Sequence, residues 1–112
     1  MGTPRATLPL AKVLDVLMGA PSHRHYGLEI AREAGLSSGT TYPILARLER
    51  DGWLTSAWEQ IDPVVEGRRP RRYYRLTGQG ERAARDVLEQ FGEVGRRGRV
   101  IRRRADPELG IT

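Results

Sequence analysis

Residues 37–54 read SSGTTYPILARLERDGWL. Ser37 or Ser38 can accept from the free N–H groups that open a helix, and Asp51-Gly52 turns the chain at its far end. At about 100° per residue, Thr41, Ile44, Leu45 and Leu48 fall together as a buried stripe. Gly39, Thr40, Pro43, Ala46, Arg47 and Arg50 fall opposite, with Tyr42 on the flank. An exposed face of small, hydroxylated and cationic groups suits the major groove of duplex DNA, where a helix backbone must lie close to base edges. Pro43 is too deep for a first-turn proline if Ser38 is the cap, so the helix either begins late or bends in its first turn.

On the N-terminal side, Thr7-Leu8-Pro9 has the form of a helix start, with Thr7 as cap and a proline tolerated in the first turn. Leu10, Val13, Leu14 and Leu17 recur at helical spacing until Gly19-Ala20-Pro21 ends the run. A second helix is expected over Tyr26–Ala34, with Ile30, Ala31 and Ala34 inward and Gly35 as its stop. Three short helices joined by tight, glycine-containing turns suggest a helix-turn-helix core.

On the C-terminal side, Trp53 to Trp58 has strand character. Residues 60–71 contain two prolines and Gly67 and read as a mobile loop. Arg72-Tyr73-Tyr74-Arg75-Leu76 is the return strand, its alternation setting Tyr73 and Arg75 on one side and Tyr74 and Leu76 on the other. Thr77 caps a fourth helix whose apolar stripe is Ala84, Val87, Leu88, Phe91 and Val94. A lone helix would leave that stripe in water, so a partner helix is expected to cover it.

The chain has 112 residues, enough for one small domain and one further element. Of its 19 cationic side chains only Lys12 is lysine. That bias suits phosphates and guanine edges, though a GC-rich genome would produce it too. Residues 1–94 carry 13 positive and 12 negative side chains, whereas 95–112 carry 6 and 2. Within the first part, residues 60–75 hold five arginines against Asp62 and Glu66. The basic character is thus concentrated in a hairpin and a tail, as an electrostatic footprint requires. Arg68, Arg69, Arg71 and Arg72 flank Pro70 with no acidic run after Glu66, and four such guanidiniums repel one another unless a polyanion is near. The tail arginines, Arg96 to Arg104, read equally as a solvated end or an auxiliary contact.

With no cysteine, disulfides and Cys-based metal sites are excluded. His23 and His25 stand alone as metal-ligand types and read as surface histidines, so no metal and no cofactor is expected. No nucleophile–base–orienter set is visible, which argues against an enzyme. No run approaches the ~20 apolar residues of a membrane span, and a cytoplasmic location is expected.

The string YGLEIAREAGLSSGTTYPILARLERDGWLTSAWEQ, followed by RRPRRYYRLTGQGERA, resembles the PadR-like transcriptional regulators, a winged helix-turn-helix family. The resemblance spans about Leu10–Leu88. It implies a mainly α fold with a small β-hairpin, a DNA-binding domain over residues 1–76, a C-terminal dimerisation helix over 77–104, and a tail over 105–112. By the same resemblance Ser38, Thr40, Tyr42 and Pro43 match the start of the recognition helix, and Arg68–Arg72 the basic wing. With Arg47 added from the exposed helix face, the expected DNA-binding residues are Ser38, Thr40, Tyr42, Pro43, Arg47, Arg68, Arg69, Arg71 and Arg72. The expected dimer interface is Ala84, Val87, Leu88, Phe91 and Val94. Leu28 stands where the family often has a second tyrosine, and Thr41 where many members have leucine.

Each signal has a plainer reading. Thr40 and Tyr42 could be a capping hydroxyl and a semi-buried aromatic, Arg47 and Arg50 partners of Glu49 or Asp51, and Trp53 and Trp58 hairpin packing. The function implied is a homodimeric repressor on double-stranded DNA with a pseudo-palindromic operator. Two alternatives stand beside it: a sensor releasing DNA on binding a small aromatic effector near its tryptophans, and a protein-interaction module whose basic wing docks an acidic partner.

Overall fold

The computed structural model describes residues 7–98, with side chains described through residue 92. Its elements in chain order are α1 (Leu8–Gly19), β1 (His25–Tyr26), α2 (Gly27–Ala34), α3 (Ser38–Arg50), β2 (Leu54–Trp58), α4 (Pro63–Glu66), β3 (Arg72–Leu76) and α5 (Gly78–Gly98).

Helix α1 is the hub. The Thr7 hydroxyl accepts from the Leu10 N–H at 3.3 Å, and Pro9 sits in the first turn, where its missing donor costs nothing. Leu10, Val13, Leu14 and Leu17 are all buried, joined by Ala11 and Val16. The helix packs on α2, α3 and α5 together, so its apolar surface exceeds the one stripe that the spacing suggests. Each leucine wholly removed from water there contributes roughly 1.5–3 kcal/mol.

Helix α2 starts one residue later than expected, because Tyr26 takes an extended backbone and pairs as a strand. It ends on Gly35 at φ 70°, with the Leu36 N–H on the Ala31 carbonyl at 2.9 Å and the Gly35 N–H on the Arg32 carbonyl at 3.2 Å. Only glycine takes that left-handed position cheaply.

In α3 the cap is Ser37, whose hydroxyl accepts from the Thr40 N–H at 3.2 Å. The helix starts at Ser38 and continues through Pro43, so the late start is ruled out. Pro43 leaves the Gly39 carbonyl without its helical donor, but Gly39 is exposed and water can serve instead. Thr41, an unusual core residue, is fully buried, and its hydroxyl donates to the Ser37 carbonyl at 2.9 Å. The burial therefore leaves no unsatisfied polar group. At the other end, the Trp53 N–H reaches the Leu48 carbonyl at 2.9 Å and the Gly52 N–H reaches that of Glu49 at 3.1 Å, with Gly52 at φ 84°. This is the Schellman pattern, sealed by apolar contact at buried Leu48 and Trp53.

The hairpin β2–β3 is antiparallel, with Leu54 opposite Leu76 and Trp58 opposite Arg72. Strand β1 adds to its other side, His25 opposite Tyr74 and Tyr26 opposite Tyr73, giving the order β1-β3-β2. The small hairpin expected from the sequence is thus a three-stranded sheet. Tyr74 is buried and Leu76 packs on the core, while Arg75 is exposed, as the alternation requires.

The segment read as a mobile loop contains a helical turn instead. Asp62 accepts from the Val64 N–H at 3.0 Å, Pro63 occupies the first helical position, and Gly67 closes the turn at φ 70°. The prolines and glycine taken as breakers are start and stop signals of α4. Trp53 is core, while Trp58, 58% exposed, packs within the hairpin, its ring 5.8 Å from the guanidinium of Arg72 on the facing strand.

Helix α5 opens on Thr77, whose hydroxyl accepts from the Gly80 N–H at 2.9 Å and donates to the Gly52 carbonyl at 2.7 Å. A Cβ at Gly80 would collide with the Trp53 carbonyl, which is why residue 80 is glycine. The stripe on α5 corrects an expectation. Ala84 and Val87 are buried, and Leu88 and Phe91, partly buried, pack on the same core, so α1 of the same chain covers part of the stripe that a partner helix was expected to cover. The Val94 side chain lies outside those described. Among the described residues no helix is long and apolar enough to cross a membrane.

Candidate nucleic-acid interface

Burial sorts the residues of α3 as the helical period does. Thr41, Leu45 and Leu48 are buried, whereas Ser38, Gly39, Thr40, Tyr42, Pro43, Ala46, Arg47 and Arg50 are exposed. The helix thus offers solvent a hydroxyl-bearing first turn and a cationic last turn. Among the described residues neither Arg47 nor Arg50 forms an ion pair; Glu49 instead takes Ser56 and Arg72. Thr40 also accepts the Ser37 hydroxyl at 3.1 Å, so its oxygen is oriented while its methyl stays free.

Tyr42 lies across the start of α2. Its ring stands so near Gly27 that a Cβ there would overlap the phenol end. Gly27 therefore lets the two helices approach, and Tyr42 keeps 41% of its surface in solvent. In Tyr-Gly-Leu-Glu, the glycine makes room for a residue fifteen places on.

The wing arginines do not stand unpaired as the sequence suggests. Arg68 grips Glu59 with both terminal nitrogens, Nη1 to Oε1 at 2.7 Å and Nη2 to Oε2 at 3.2 Å. The Arg71 N–H also donates to Oε1 at 2.9 Å, its guanidinium lies 3.6 Å from Oε2, and the Tyr26 hydroxyl donates to Oε2 at 3.0 Å. Arg68 holds the Glu59 carboxyl at about 2, far below the usual carboxylate range, with help from the Arg71 N–H and Tyr26 and against the cost of desolvation. Arg72 donates to the Ser56 hydroxyl from Nε at 3.0 Å and Nη2 at 2.7 Å, and stands 3.5 Å from Glu49, which ties the wing to the last turn of α3. These pairings leave the side chains of Arg68, Arg71 and Arg72 39%, 50% and 43% exposed. Among the described residues Arg69 makes no ion pair.

Glu59, Tyr26, Ser56 and Glu49 are the members of this network that reading along the chain passes over. Their partners are fixed by the antiparallel return of the hairpin, which sets residue 59 beside residue 71; the Glu59 N–H donates to the Arg71 carbonyl at 2.9 Å. Aromatic stacking extends the network. Arg71 lies 4.3 Å over the Tyr26 ring, Tyr26 meets Tyr73 edge-on at 6.4 Å, and Arg24 lies 4.3 Å over Tyr73. His25 is half-buried, its ring Nε2 donating to the Ala20 carbonyl at 2.9 Å, which closes the turn after α1. The tail arginines beyond Gly98 lie outside the described residues.

The two halves of the site meet in one cleft of about 520 Å³, whose walls include Tyr42 from α3, Gly27 from α2, and Trp58, Arg71, Arg72 and Tyr74 from the hairpin. A helix with an open polar face, preceded by two helices and followed by a basic hairpin, is the winged helix-turn-helix order. The sequence profile described as "Transcriptional regulator PadR-like family" matches residues 13–86. The chain belongs to this family.

Solved structures agree. A PadR family transcriptional regulator from Eggerthella lenta is similar at 27% identity and TM-score 0.59, over 78% of this chain and 78% of that one. Pex from Synechococcus is similar at 27% identity and TM-score 0.58, over 79% of this chain and 81% of its own. The PcaV transcriptional regulator from Streptomyces coelicolor gives 26% identity and TM-score 0.65, over 84% of this chain but 63% of PcaV. Among curated proteins, none matches the chain. The protein is a transcriptional regulator of the winged-helix type.

Proposed function

We propose that the chain represses transcription by binding a pseudo-palindromic operator as a homodimer, with α3 in the major groove and the wing on the phosphate backbone. The observation that carries this reading is the shared cleft: Tyr42 of the recognition helix and Arg71 and Arg72 of the wing line one opening, so a duplex seated on one meets the other. Ser38, Thr40, Tyr42, Pro43 and Arg47 form the reading surface. Thr40 offers a hydroxyl and a methyl to base edges, and Tyr42 a phenolic donor to a phosphate. Arg68, Arg69, Arg71 and Arg72 form the holding surface.

The homodimer follows from a two-fold operator, whose half-sites would lie about one helical turn, ~34 Å, or a multiple apart. Its contact is assigned to α5. That helix runs 21 residues, or about 31 Å, and carries Leu88, Phe91 and Val94 toward its distal end. Ala84 and Val87, being buried under α1, support the contact from inside and do not form it. The test is a mobility shift with the promoter of the chain's own operon: a discrete complex that persists under excess nonspecific competitor is expected. A complex chased by any duplex would reject sequence-specific binding, and no DNA complex, with an acidic protein captured instead, would favour the interaction module.

A second reading concerns an effector. The cleft has the size of a small-molecule site and holds the exposed Trp58, while Trp53 is buried at 3% exposure. A flat aromatic ligand there would stack on Trp58 and displace DNA directly. Quenching of Trp58 fluorescence by planar aromatics, matched by loss of the DNA complex, tests this reading. Quenching without DNA release rejects it.

A further inference from the structure

Glu59 is an acid in a surface assigned to a polyanion, and bare electrostatics would count it as a liability. Its side chain is 7% exposed, against 39% for Arg68 and 50% for Arg71. Each of its contacts described above goes to the wing or to the strand beside it. Arg68 is gripped through both terminal nitrogens, the Arg71 backbone N–H is occupied, and the Tyr26 hydroxyl anchors the carboxylate to β1. The contacts reach nine, twelve and thirty-three residues along the chain, so one carboxylate joins β1, the end of β2 and the approach to β3. Arg71 is further restrained by stacking on the Tyr26 ring at 4.3 Å. A guanidinium has five donors. Arg68 spends two nitrogens on Glu59 and Arg71 barely one, so both keep donors for phosphate.

We propose that Glu59 is a positioning residue for DNA binding: its carboxylate clamps Arg68 and Arg71 to Tyr26 and thereby holds the wing in its phosphate-gripping shape before DNA arrives. This rests on the wing being the phosphate-holding arm. Ordering two long cationic side chains in advance lowers the conformational entropy lost on binding. It also relieves the mutual repulsion of clustered arginines in the free protein. The benefit outweighs the negative charge because the Glu59 carboxylate, 7% exposed, is already engaged by the guanidinium of Arg68 at 2.7 Å and lies 3.6 Å from that of Arg71.

The test measures affinity of the full chain for its operon promoter and for a scrambled duplex across a salt series, with Glu59→Gln, Glu59→Asp, Arg68→Ala/Arg71→Ala and the triple variant. Glu59→Gln raises the net charge by one, so electrostatics alone predicts tighter binding. Positioning predicts the reverse: about tenfold weaker binding on both duplexes, with a salt slope shallower by about 1.8, the equivalent of two phosphates at ~0.9 each. Glu59→Asp should recover part of the loss, and Glu59→Gln should add nothing once Arg68 and Arg71 are alanine. Binding as tight as or tighter than the parent, with an unchanged or steeper slope, overturns the proposal. If the arginine pair can be removed without loss, the phosphate-arm reading fails and the positioning role falls with it. If the pair matters and Glu59→Gln does not, only the positioning role falls. Should Glu59→Gln fail to fold, Tyr26→Phe loosens the clamp with charge unchanged: about threefold weaker binding is expected, and parental affinity would again overturn the proposal.

Discussion

Tyr42 and Gly27 show how much one missing methyl group decides. The phenol ring lies where a Cβ on residue 27 would be, so Gly27→Ala must push the ring aside. The displaced atoms are the far end of a side chain, and alanine is the better helix former, so the fold should persist. The expected outcome is several-fold weaker operator binding with a thermal midpoint within a few degrees of the parent. At Thr40 the expectation differs in kind. Thr40→Ala should change which bases are preferred, whereas Arg69→Ala should weaken binding to all duplexes alike. Equal losses for Thr40→Ala on specific and scrambled duplexes would remove its base-reading role. Glu59 adds a pH signature. Its folded value of about 2 lies below its ordinary 4.5, so the clamp is fully present above about 4.5 and is lost as pH falls toward 2. The fluorescence of neighbouring Trp58 should change across that acid window, and Glu59→Gln should abolish the change.

At the scale of elements, the joints carry the prediction. Helix α5 can enter the core only because Gly80 lies against the Trp53 carbonyl, with Thr77 bridging that strand and the helix start. Gly80→Ala should destabilise the fold by about 1–3 kcal/mol, as overpacking does, and lower the thermal midpoint accordingly. The turn α4 behaves differently. Val64 and Val65 are exposed and no residue of the turn is buried, so removing its cap with Asp62→Ala should leave the global midpoint unchanged and raise hydrogen exchange at residues 63–67 alone. The contrast shows why α1, α3 and α5 are legible along the chain: each has a cap residue and an apolar stripe. Strand β1 is two residues long and has no period to detect. Helix α4 was hidden because its Asp-Pro start and Gly stop use the same residues that mark loops.

For the whole molecule the ruling quantities are charge and the single core. If six to ten phosphates are engaged, affinity should fall by about three to five decades between 50 and 200 mM salt. A near-flat salt response would be incompatible with the wing as the holding arm. Because α1 contacts α2, α3 and α5 at once, Leu14→Ala should cost about 2–5 kcal/mol and melt the reading helix together with α5 in one transition. Two separated transitions would instead place residues 77 onward in a unit of their own. Light scattering at micromolar concentration should give twice the chain mass, and a monomer mass would count against the homodimer.

The sequence by itself determined the helices of the core, the face of α3 that meets solvent, the alternation of β3 and the family, because caps, periodicity and turn chemistry act over a few residues and are written locally. Only the tertiary structure decided that α1 covers part of the stripe on α5, that His25 and Tyr26 join the sheet, and that Glu59 disciplines the arginines expected to stand alone. Those outcomes join groups nine to some seventy residues apart, and which of several equally apolar or equally charged partners wins there depends on how the packed chain returns on itself.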